Sequence, residues 1–242
     1  MTAQSDGPMP ARLPDRPGIA AVLAAAGIGV GAPVLVLVGG AGGMDEVTAG
    51  MLAGLMRDAV VPAVVRHGAT VLDGGTDSGV MRLIGQARAA AGAAFPLVGV
   101  AAAGTVTLPG SDPPRADAAD LEPHHTHVLL VEGDEWGDEA PWISDVAGVI
   151  AGDRPSVTVL INGGTIAVDD AERSLAAGRP LVVIAGSGRT ADAVAGAHST
   201  GGGDPRVARI AASPLTRVAR LDDLGAVGTA IDAGLGEPVR RP

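Results

Sequence analysis

The chain has 242 residues and a formal net charge of −10 at pH 7, and 47% of its residues are hydrophobic but only 1% aromatic. This length suits one α/β domain with a sizeable core, which must be built almost entirely from Ala, Val, Leu and Ile. A nucleic-acid-binding surface needs clustered positive charge to replace counterions, and this chain carries the opposite charge. We therefore expect no nucleic-acid partner.

Cysteine, lysine and tyrosine are missing, and the absence of the first two excludes several kinds of chemistry. There is no cysteine, which excludes a thiolate nucleophile, a cysteine-bound zinc and a disulfide framework. All 17 residues of the lysine and arginine class are arginine. The chain therefore lacks the lysine of a Walker P-loop and the Schiff-base lysine of a pyridoxal enzyme. We expect no cofactor.

The N-terminal region contains a proline-rich segment and then a long apolar stretch. Residues 1–17 mix prolines with polar residues and are predicted to form a flexible tail. Residues 19–38 are apolar over about the length of a membrane span, but glycines and Pro33 interrupt them. The interruption favours a helix, a turn and a first buried strand, without a basic segment and cleavage site typical of a signal peptide. We expect a cytoplasmic protein with no membrane partner.

From that strand onwards, short apolar runs alternate with alanine-rich helical segments. Continuous apolar runs are typical of parallel strands buried on both faces. Strands alternating with helices predict an α/β fold with a Rossmann-like, doubly wound, mostly parallel sheet. We predict strands at 34–38, 69–72, 97–101, 127–131, 157–161 and 181–185, and helices at 46–66, 80–91, 141–151, 168–177, 190–196 and about 222–234. Residues 198–205 are read as a glycine-rich break, and residues 18–236 as a single domain.

Four of the predicted strands end in glycine-rich segments that lead into helices. They are Gly39-Gly40-Ala41-Gly42-Gly43, Asp73-Gly74-Gly75-Thr76-Asp77-Ser78-Gly79, Asn162-Gly163-Gly164-Thr165 and Gly186-Ser187-Gly188-Arg189. In an open parallel sheet, ligands bind outside the carboxyl ends of the strands. Glycine there lets backbone N–H groups approach a phosphate, and helix N-termini add partial positive charge. We predict one shared crevice in which Arg189 holds an anion.

Two other interpretations of these segments are weaker. Glycine makes up 37 of the 242 residues, so any one cluster can be an ordinary turn. Residues 186–191 also fit the dinucleotide fingerprint G-x-G-x-x-A, but they follow a late strand, and no acidic residue clearly ends the next one. A dehydrogenase is therefore not favoured.

Three ordered segments carry a resemblance to a known family: DGGTDSGVM at 73–81, EPHHTH at 122–127 and GDEWGDE at 133–139. They resemble the SLOG superfamily, and more narrowly its prokaryotic branch related to the cytosolic N-terminal domain of TRPM cation channels, the LSDAT group. Residues 161–165 and 186–189 fit the same pattern, so the resemblance covers about 34–195. It implies a Rossmann-like fold and a pocket for nucleotide-derived ligands. In the channel relatives the ligand is ADP-ribose or a similar molecule, which is sensed rather than turned over.

The glycine-rich strand ends and this resemblance together imply a set of ligand-binding residues. The set is Gly39, Gly40, Ala41, Gly42, Gly74, Gly75, Thr76, Ser78, Gly79, Val80, Met81, His125, Trp136, Gly163, Gly164, Thr165, Ser187, Gly188 and Arg189. The implied function is binding or sensing of an ADP-ribose-like or other nucleoside-phosphate ligand. We also expect a homo-oligomer. No catalytic residue is assigned.

The superfamily also contains DNA-binding DprA proteins and LOG phosphoribohydrolases, which cleave the N-glycosidic bond of cytokinin nucleotides. LOG enzymes carry P-G-G-x-G-T-x-x-E, whereas residues 162–170 here read NGGTIAVDD, with Ile166-Ala167 in place of Gly-Thr. Aspartate is one methylene shorter than glutamate, which matters for a carboxylate that must reach the ribose. Asp169 and Asp170 also suit the start of a helix electrostatically. A LOG-like hydrolase acting on nucleoside monophosphates is the alternative function.

Two polar clusters raise the question of a metal. The segment Glu122-Pro123-His124-His125-Thr126-His127 holds three histidines, of which His125 and His127 would point the same way on a strand. No third ligand has a defined spacing. Residues 132–139 place five carboxylates around Trp136 without the spacing of an EF-hand loop. We favour a solvated cap or a ligand-facing loop, with Trp136 stacked on a base or ribose, and expect no metal.

Overall fold

The computed structural model describes residues 9–40 and 45–236. Its strands are β1 (Ala11–Arg12), β2 (Val34–Gly39), β3 (Thr70–Asp73), β4 (Leu97–Ala102), β5 (Val106–Thr107), β6 (Ala119–Asp120), β7 (His127–Val131), β8 (Ser156–Ile161), β9 (Leu181–Ala185) and β10 (Thr216–Arg220). Eight of them form one sheet in the order β1-β7-β4-β3-β2-β8-β9-β10, while β5 pairs with β6 alone. All pairings between these named strands are parallel.

The helices lie on both faces of the sheet. They are α1 (Ile19–Ala25), α2 (Glu46–Leu55), a π-helical turn (Met56–Val60), α3 (Val61–His67), α4 (Gly79–Ala90), α5 (Ala140–Ala151), α6 (Thr165–Ala176), α7 (Arg189–Thr200), α8 (Pro205–Ala212) and α9 (Leu224–Gly236). Capping residues explain where several of these helices begin or end. The side chain of Asp45 caps α2 and that of Asp204 caps α8, while Gly68 ends α3 in the left-handed region.

The sheet separates two hydrophobic cores, and the alternation of side chains along β2 shows how. Val36 and Val38 belong to the core under α1, α5, α6, α7 and α8. Leu35 and Leu37 belong to the core under α2, α3, α4 and α9. Because successive side chains of a strand point to opposite faces, a strand buried on both faces must be apolar at every position. The continuous apolar runs of the sequence have this cause.

The predicted fold class is confirmed: the sheet is mostly parallel and flanked by helices, and the six predicted strands are present with small shifts at their ends. The structure adds α8 and β10, and α7 continues to Thr200, into the segment expected to be a break. These elements have a mixed or amphipathic pattern because they lie at the edge of the fold. Arg217, for example, is exposed on β10, which has only one neighbouring strand.

The predicted flexible tail differs from the structure over the residues that are described. Ala11 and Arg12 pair with Leu129 and Leu130 of β7. Leu13 donates its N–H to the carbonyl of Leu130 at 2.8 Å and is 1% exposed. The burial of Leu13 and the pairing with the edge of β7 therefore order this segment despite its prolines.

One helical stretch among the described residues, Glu46–His67, is long and apolar enough to cross a membrane. It consists of α2, the π-helical turn and α3. Leu52, Leu55 and Val64 within it are fully buried in the protein core. A core helix satisfies the same criteria of length and composition, so the stretch is weak evidence for a membrane span.

The order of the strands determines where a ligand can enter. From β2 the chain moves outward through β3, β4 and β7, and then returns to the other side of β2 with β8. The carboxyl ends of β2 and β8 are adjacent, with Gly39 opposite Ile161. The helices that follow these strands, α2 and α6, pack on opposite faces of the sheet, and a crevice forms where the strand order reverses.

Candidate functional site

A cavity of about 630 Å³ opens at the carboxyl edge of the sheet, beside the ends of β2 and β8. Its volume is in the range of small-molecule sites, and its place is where doubly wound folds bind ligands. Segments far apart in the chain contribute to its wall. The lining residues are Leu37, Val38, Gly39, Gly40, Gly74, Thr76, Ser78, Met81, Ala101, Thr105, Asp117, Ala119, Trp136, Glu139, Ile143, Gly164, Thr165, Ile166, Ala167, Asp170 and Arg189.

More than half of the predicted site residues line this cavity. They are Gly39, Gly40, Gly74, Thr76, Ser78, Met81, Trp136, Gly164, Thr165 and Arg189. They come from the ends of β2, β3, β8 and β9 and from the loop before α5. The four glycine-rich segments therefore meet at one place in the described part of the chain. Ala41 and Gly42 lie outside the described residues.

The other predicted site residues lie behind the cavity wall. A Cβ atom at Gly75 would lie 2.9 Å from the Cα of Gly99, and one at Gly163 would lie 2.6 Å from the Cβ of Ala167. Both glycines have positive φ, 68° and 89°, so their side-chain space and their backbone conformation both require glycine. Packing between elements therefore requires glycine at both positions, and neither residue lines the cavity.

Gly79, Val80, Ser187 and Gly188 likewise support the wall without lining it. Val80 is fully buried, and its methyl group occupies the space where a Cβ of Gly39 would lie, at 2.8 Å. The hydroxyl of Ser187 accepts the N–H of Asn162 at 2.8 Å and donates to the carbonyl of Ile184. Gly79 begins α4 and Gly188 precedes α7, both with positive φ.

One end of the cavity, which we call the anion end, carries the positive charge of Arg189. The guanidinium of Arg189 lies over two glycines: its Nη2 is 3.2 Å from the position of a Cβ on Gly164, and its Nη1 is 3.6 Å from that of a Cβ on Gly40. The helix α6 begins here, behind Gly164, without a side-chain N-cap. The first N–H groups of α7, from Thr190 and Ala191, instead donate to the carbonyls of Gly163 and Asn162. The partial positive charge at the start of α6 favours an anion.

The cavity also has an acidic end, formed by the carboxylates of Asp170 and Glu139. Asp170 of α6 lines it and makes no hydrogen bond among the described residues. Burial first, and then the charges of Glu139 and Asp169, raise the pKa of Asp170 to about 7. Glu139 also lines the cavity, accepts the N–H of Gly137 at 3.0 Å, and has its pKa raised by burial.

Asp169 and Asp170 adjoin in sequence but have different surroundings. Asp169 is exposed and forms an ion pair with Arg206 of α8, which also binds Glu172 at 2.6 Å. Asp170 faces the cavity instead, because adjacent residues of a helix point about 100° apart. The interpretation of both residues as charges at a helix start was wrong, because α6 begins at Thr165 and its first turn holds no acidic residue.

Trp136 is held at the cavity by a chain of hydrogen bonds between two loops. Its indole N–H donates to Oδ2 of Asp117 at 3.1 Å, and Nε of Arg115 donates to Oδ1 of the same carboxylate at 2.5 Å. These two donors, Arg115 first, lower the pKa of Asp117. Arg115 also donates to the carbonyl of Asp134. These hydrogen bonds join the loop 132–139 to the segment before β6.

His125, predicted to be polar and near the crevice, is instead buried between two carboxylates. Its Nε2 lies 2.8 Å from Oδ1 of Asp73, and its Nδ1 lies 2.8 Å from Oε2 of Glu122. Burial alone would lower its pKa, but Asp73 and Glu122 outweigh burial and raise the pKa to about 9. The ring therefore carries a proton on both nitrogens and donates to both carboxylates.

The buried cluster of Asp73, Glu122 and His125 lies beneath the cavity and supports its wall. Oδ1 of Asp73 also accepts the N–H of Gly75 at 2.7 Å, which holds the turn between β3 and the lining residues Gly74 and Thr76. The carboxylate of Glu122 lies against Gly85 of α4. Among residues 9–40 and 45–236, no group of three or more His, Asp or Glu side chains is arranged to hold a metal ion.

A comparison with models of protein families identifies the family of this chain. The family model described as "SLOG in TRPM, prokaryote" matches residues 32–228 of the 242-residue chain. A search of curated proteins found no match. The matched range includes every residue that lines the cavity, from Leu37 of β2 to Arg189 of α7. The chain therefore belongs to the prokaryotic LSDAT family, the SLOG group related to the N-terminal domain of TRPM channels.

Proposed function

We propose that this protein binds a nucleotide-derived small molecule, an ADP-ribose-like compound or another nucleoside phosphate, in the cavity beside β2 and β8. The observation that carries the proposal is the anion end of the cavity. There, the start of α6, preceded by Gly164, and the guanidinium of Arg189 lie side by side. A phosphate in that position receives backbone N–H groups and a charge-assisted hydrogen bond. The nucleotide-related ligands of the SLOG superfamily support the same conclusion.

Within this proposal the ligand is sensed rather than converted. The protein acts as a homo-oligomer in the cytoplasm, with no nucleic-acid or membrane partner. The net charge of −10 motivates the exclusion of nucleic acid. Size-exclusion chromatography with light scattering, in the presence and absence of ligand, tests the oligomer.

Arg189 provides the test of the anion end. Titration calorimetry with AMP and with ADP-ribose should show binding, and Arg189→Ala should weaken it about tenfold or more, because a charge-assisted hydrogen bond contributes about 1.5–3 kcal/mol. Arg57→Ala is the matched control, since Arg57 is exposed on the π-helical turn and pairs with Asp58. Equal affinity in Arg189→Ala and wild type would remove Arg189 from the site.

A LOG-like N-glycosidic hydrolase is the second candidate, favoured by the place of Asp170. A carboxyl group with a pKa of about 7 in a cavity has the property expected of a general acid or base, and Glu139 supplies a second carboxyl nearby. The assay is release of free base from AMP, comparing Asp170→Asn with Asp169→Asn. The binding proposal predicts no substantial release by the wild-type protein. Rapid release that is lost only in Asp170→Asn would establish the hydrolase instead.

A further inference from the structure

The acidic end of the cavity combines carboxylates with an aromatic side chain. Glu139, Asp170 and Asp117 line it together with Trp136. Arg189, at the anion end, is the one basic residue among the described lining residues. The lining of the cavity therefore combines one guanidinium with three carboxylates.

Asp170 has the least favourable surroundings of the carboxylates that line the cavity. It accepts no hydrogen bond from the described residues, and the repulsion by Glu139 and Asp169 is only partly offset by Arg173. The carboxylate of Glu139 accepts the N–H of Gly137 at 3.0 Å. A phosphate or carboxylate of a ligand would add a further negative charge here, whereas a cationic group would relieve the repulsion.

Trp136 suits the same kind of group. Its single donor, the indole N–H, is already bonded to Asp117, so its ring surface is what it offers to the cavity. Tryptophan is the aromatic side chain whose face attracts cations most strongly. An aromatic face beside carboxylates is an arrangement that recognises an organic cation.

We propose that Trp136, Glu139 and Asp170 form a subsite for an organic cation, so that the ligand carries a positively charged ring as well as an anionic phosphate. This inference rests on the proposed function, because it assigns the phosphate to the anion end. The ligand class is a nucleotide whose base bears a permanent positive charge, such as a pyridinium ring. The cavity volume of about 630 Å³ is sufficient for a mononucleotide of this kind.

The test uses two probes that differ in ring charge but share ribose and phosphate: nicotinamide mononucleotide and its reduced, neutral dihydropyridine form. Their affinities are measured by titration calorimetry at pH 8, where Asp170 is ionised. We expect the oxidised form to bind at least tenfold more tightly. In the double variant Glu139→Gln/Asp170→Asn, the ratio of the affinities for the oxidised and reduced forms should fall to about 1. Asp169→Asn, which changes a carboxylate outside the cavity, should keep it.

The outcomes separate this inference from the proposed function. Equal binding of both forms, tighter binding of the reduced form, or a preference that persists in the double variant overturns the cation subsite. If AMP and ADP-ribose still bind in those cases, the proposed function stands without it. If none of the four probes binds the wild-type protein, both proposals fail. Thermal unfolding of each variant establishes that lost preference is not lost folding.

Discussion

Gly85 packs against the buried cluster so closely that we predict Gly85→Ala to destabilise the protein. Gly85 lies in the middle of α4, where alanine would normally be the better residue. A Cβ atom at this position would lie 2.2 Å from Oε2 and 2.4 Å from Oε1 of Glu122. That carboxylate receives hydrogen bonds from Nδ1 of His125 at 2.8 Å and from the N–H of His124 at 2.9 Å. Gly85→Ala therefore cannot be accommodated without moving a charged, bonded group.

The magnitude follows from three contributions. Overpacking in a filled site costs about 1–3 kcal/mol. Each weakened hydrogen bond to a charged group costs up to about 1.5–3 kcal/mol. The higher helix propensity of alanine offsets about 1 kcal/mol. The net expectation is a loss of about 2–4 kcal/mol in the free energy of unfolding, or roughly 5–15 °C in melting temperature for a chain of this size.

Gly148 of α5 is the matched control, because it is exposed and a Cβ there would meet nothing within 4 Å. Gly148→Ala should stabilise the protein by about 0.5–1 kcal/mol. Urea unfolding at pH 7 measures both variants against wild type. A Gly85→Ala variant as stable as wild type would show that Glu122 is not held against α4, and the account of the cluster would be wrong.

Two further predictions concern pH. The pKa of His125 is raised to about 9 in the folded state, so its stabilisation is complete below about pH 6.5 and is lost as the pH rises through 9. The free energy of unfolding measured in urea should therefore fall by up to about 3 kcal/mol between pH 7 and pH 9.5. A free energy that does not change with pH would refute the charged ring. The pKa of Asp170 is raised to about 7, so its ionisation weakens the fold progressively from about pH 4 to pH 7. Asp170→Asn should be more stable than wild type by about 1–2 kcal/mol at pH 8, a value reduced for its partial exposure to water, and the gain should shrink at pH 5.

The sequence predicted the position of the cavity because that position depends on local features. Apolar runs marked the strands, and the glycine-rich segments followed their carboxyl ends, which parallel strands must place at one edge. Gly40, Gly164 and Arg189 meet there for this reason. The predicted tail was wrong over its described part, since the sequence did not indicate which sheet edge would accept Ala11 and Arg12.

Side-chain roles that depend on distant residues could not be predicted. Asp73 lies 52 positions before His125 in the chain, and no sequence spacing relates them. Asp170 was not distinguished from Asp169, because the predicted helix began at residue 168 whereas α6 begins at Thr165. The pairing of Asp169 with Arg206 then depends on where α8 packs. These contacts follow from tertiary packing rather than from any local pattern.

Gly164→Val tests most directly whether the cavity is a ligand site. Gly164 lines the cavity with φ −102°, which other residues adopt, so a valine there should fold while its branched side chain occupies the anion end. We predict that 100-fold excess of ADP-ribose or AMP over its Kd raises the melting temperature of the wild-type protein by roughly 5–10 °C. The variant should unfold at a similar temperature without ligand and show no ligand-induced rise. An equal rise in both proteins would contradict the account.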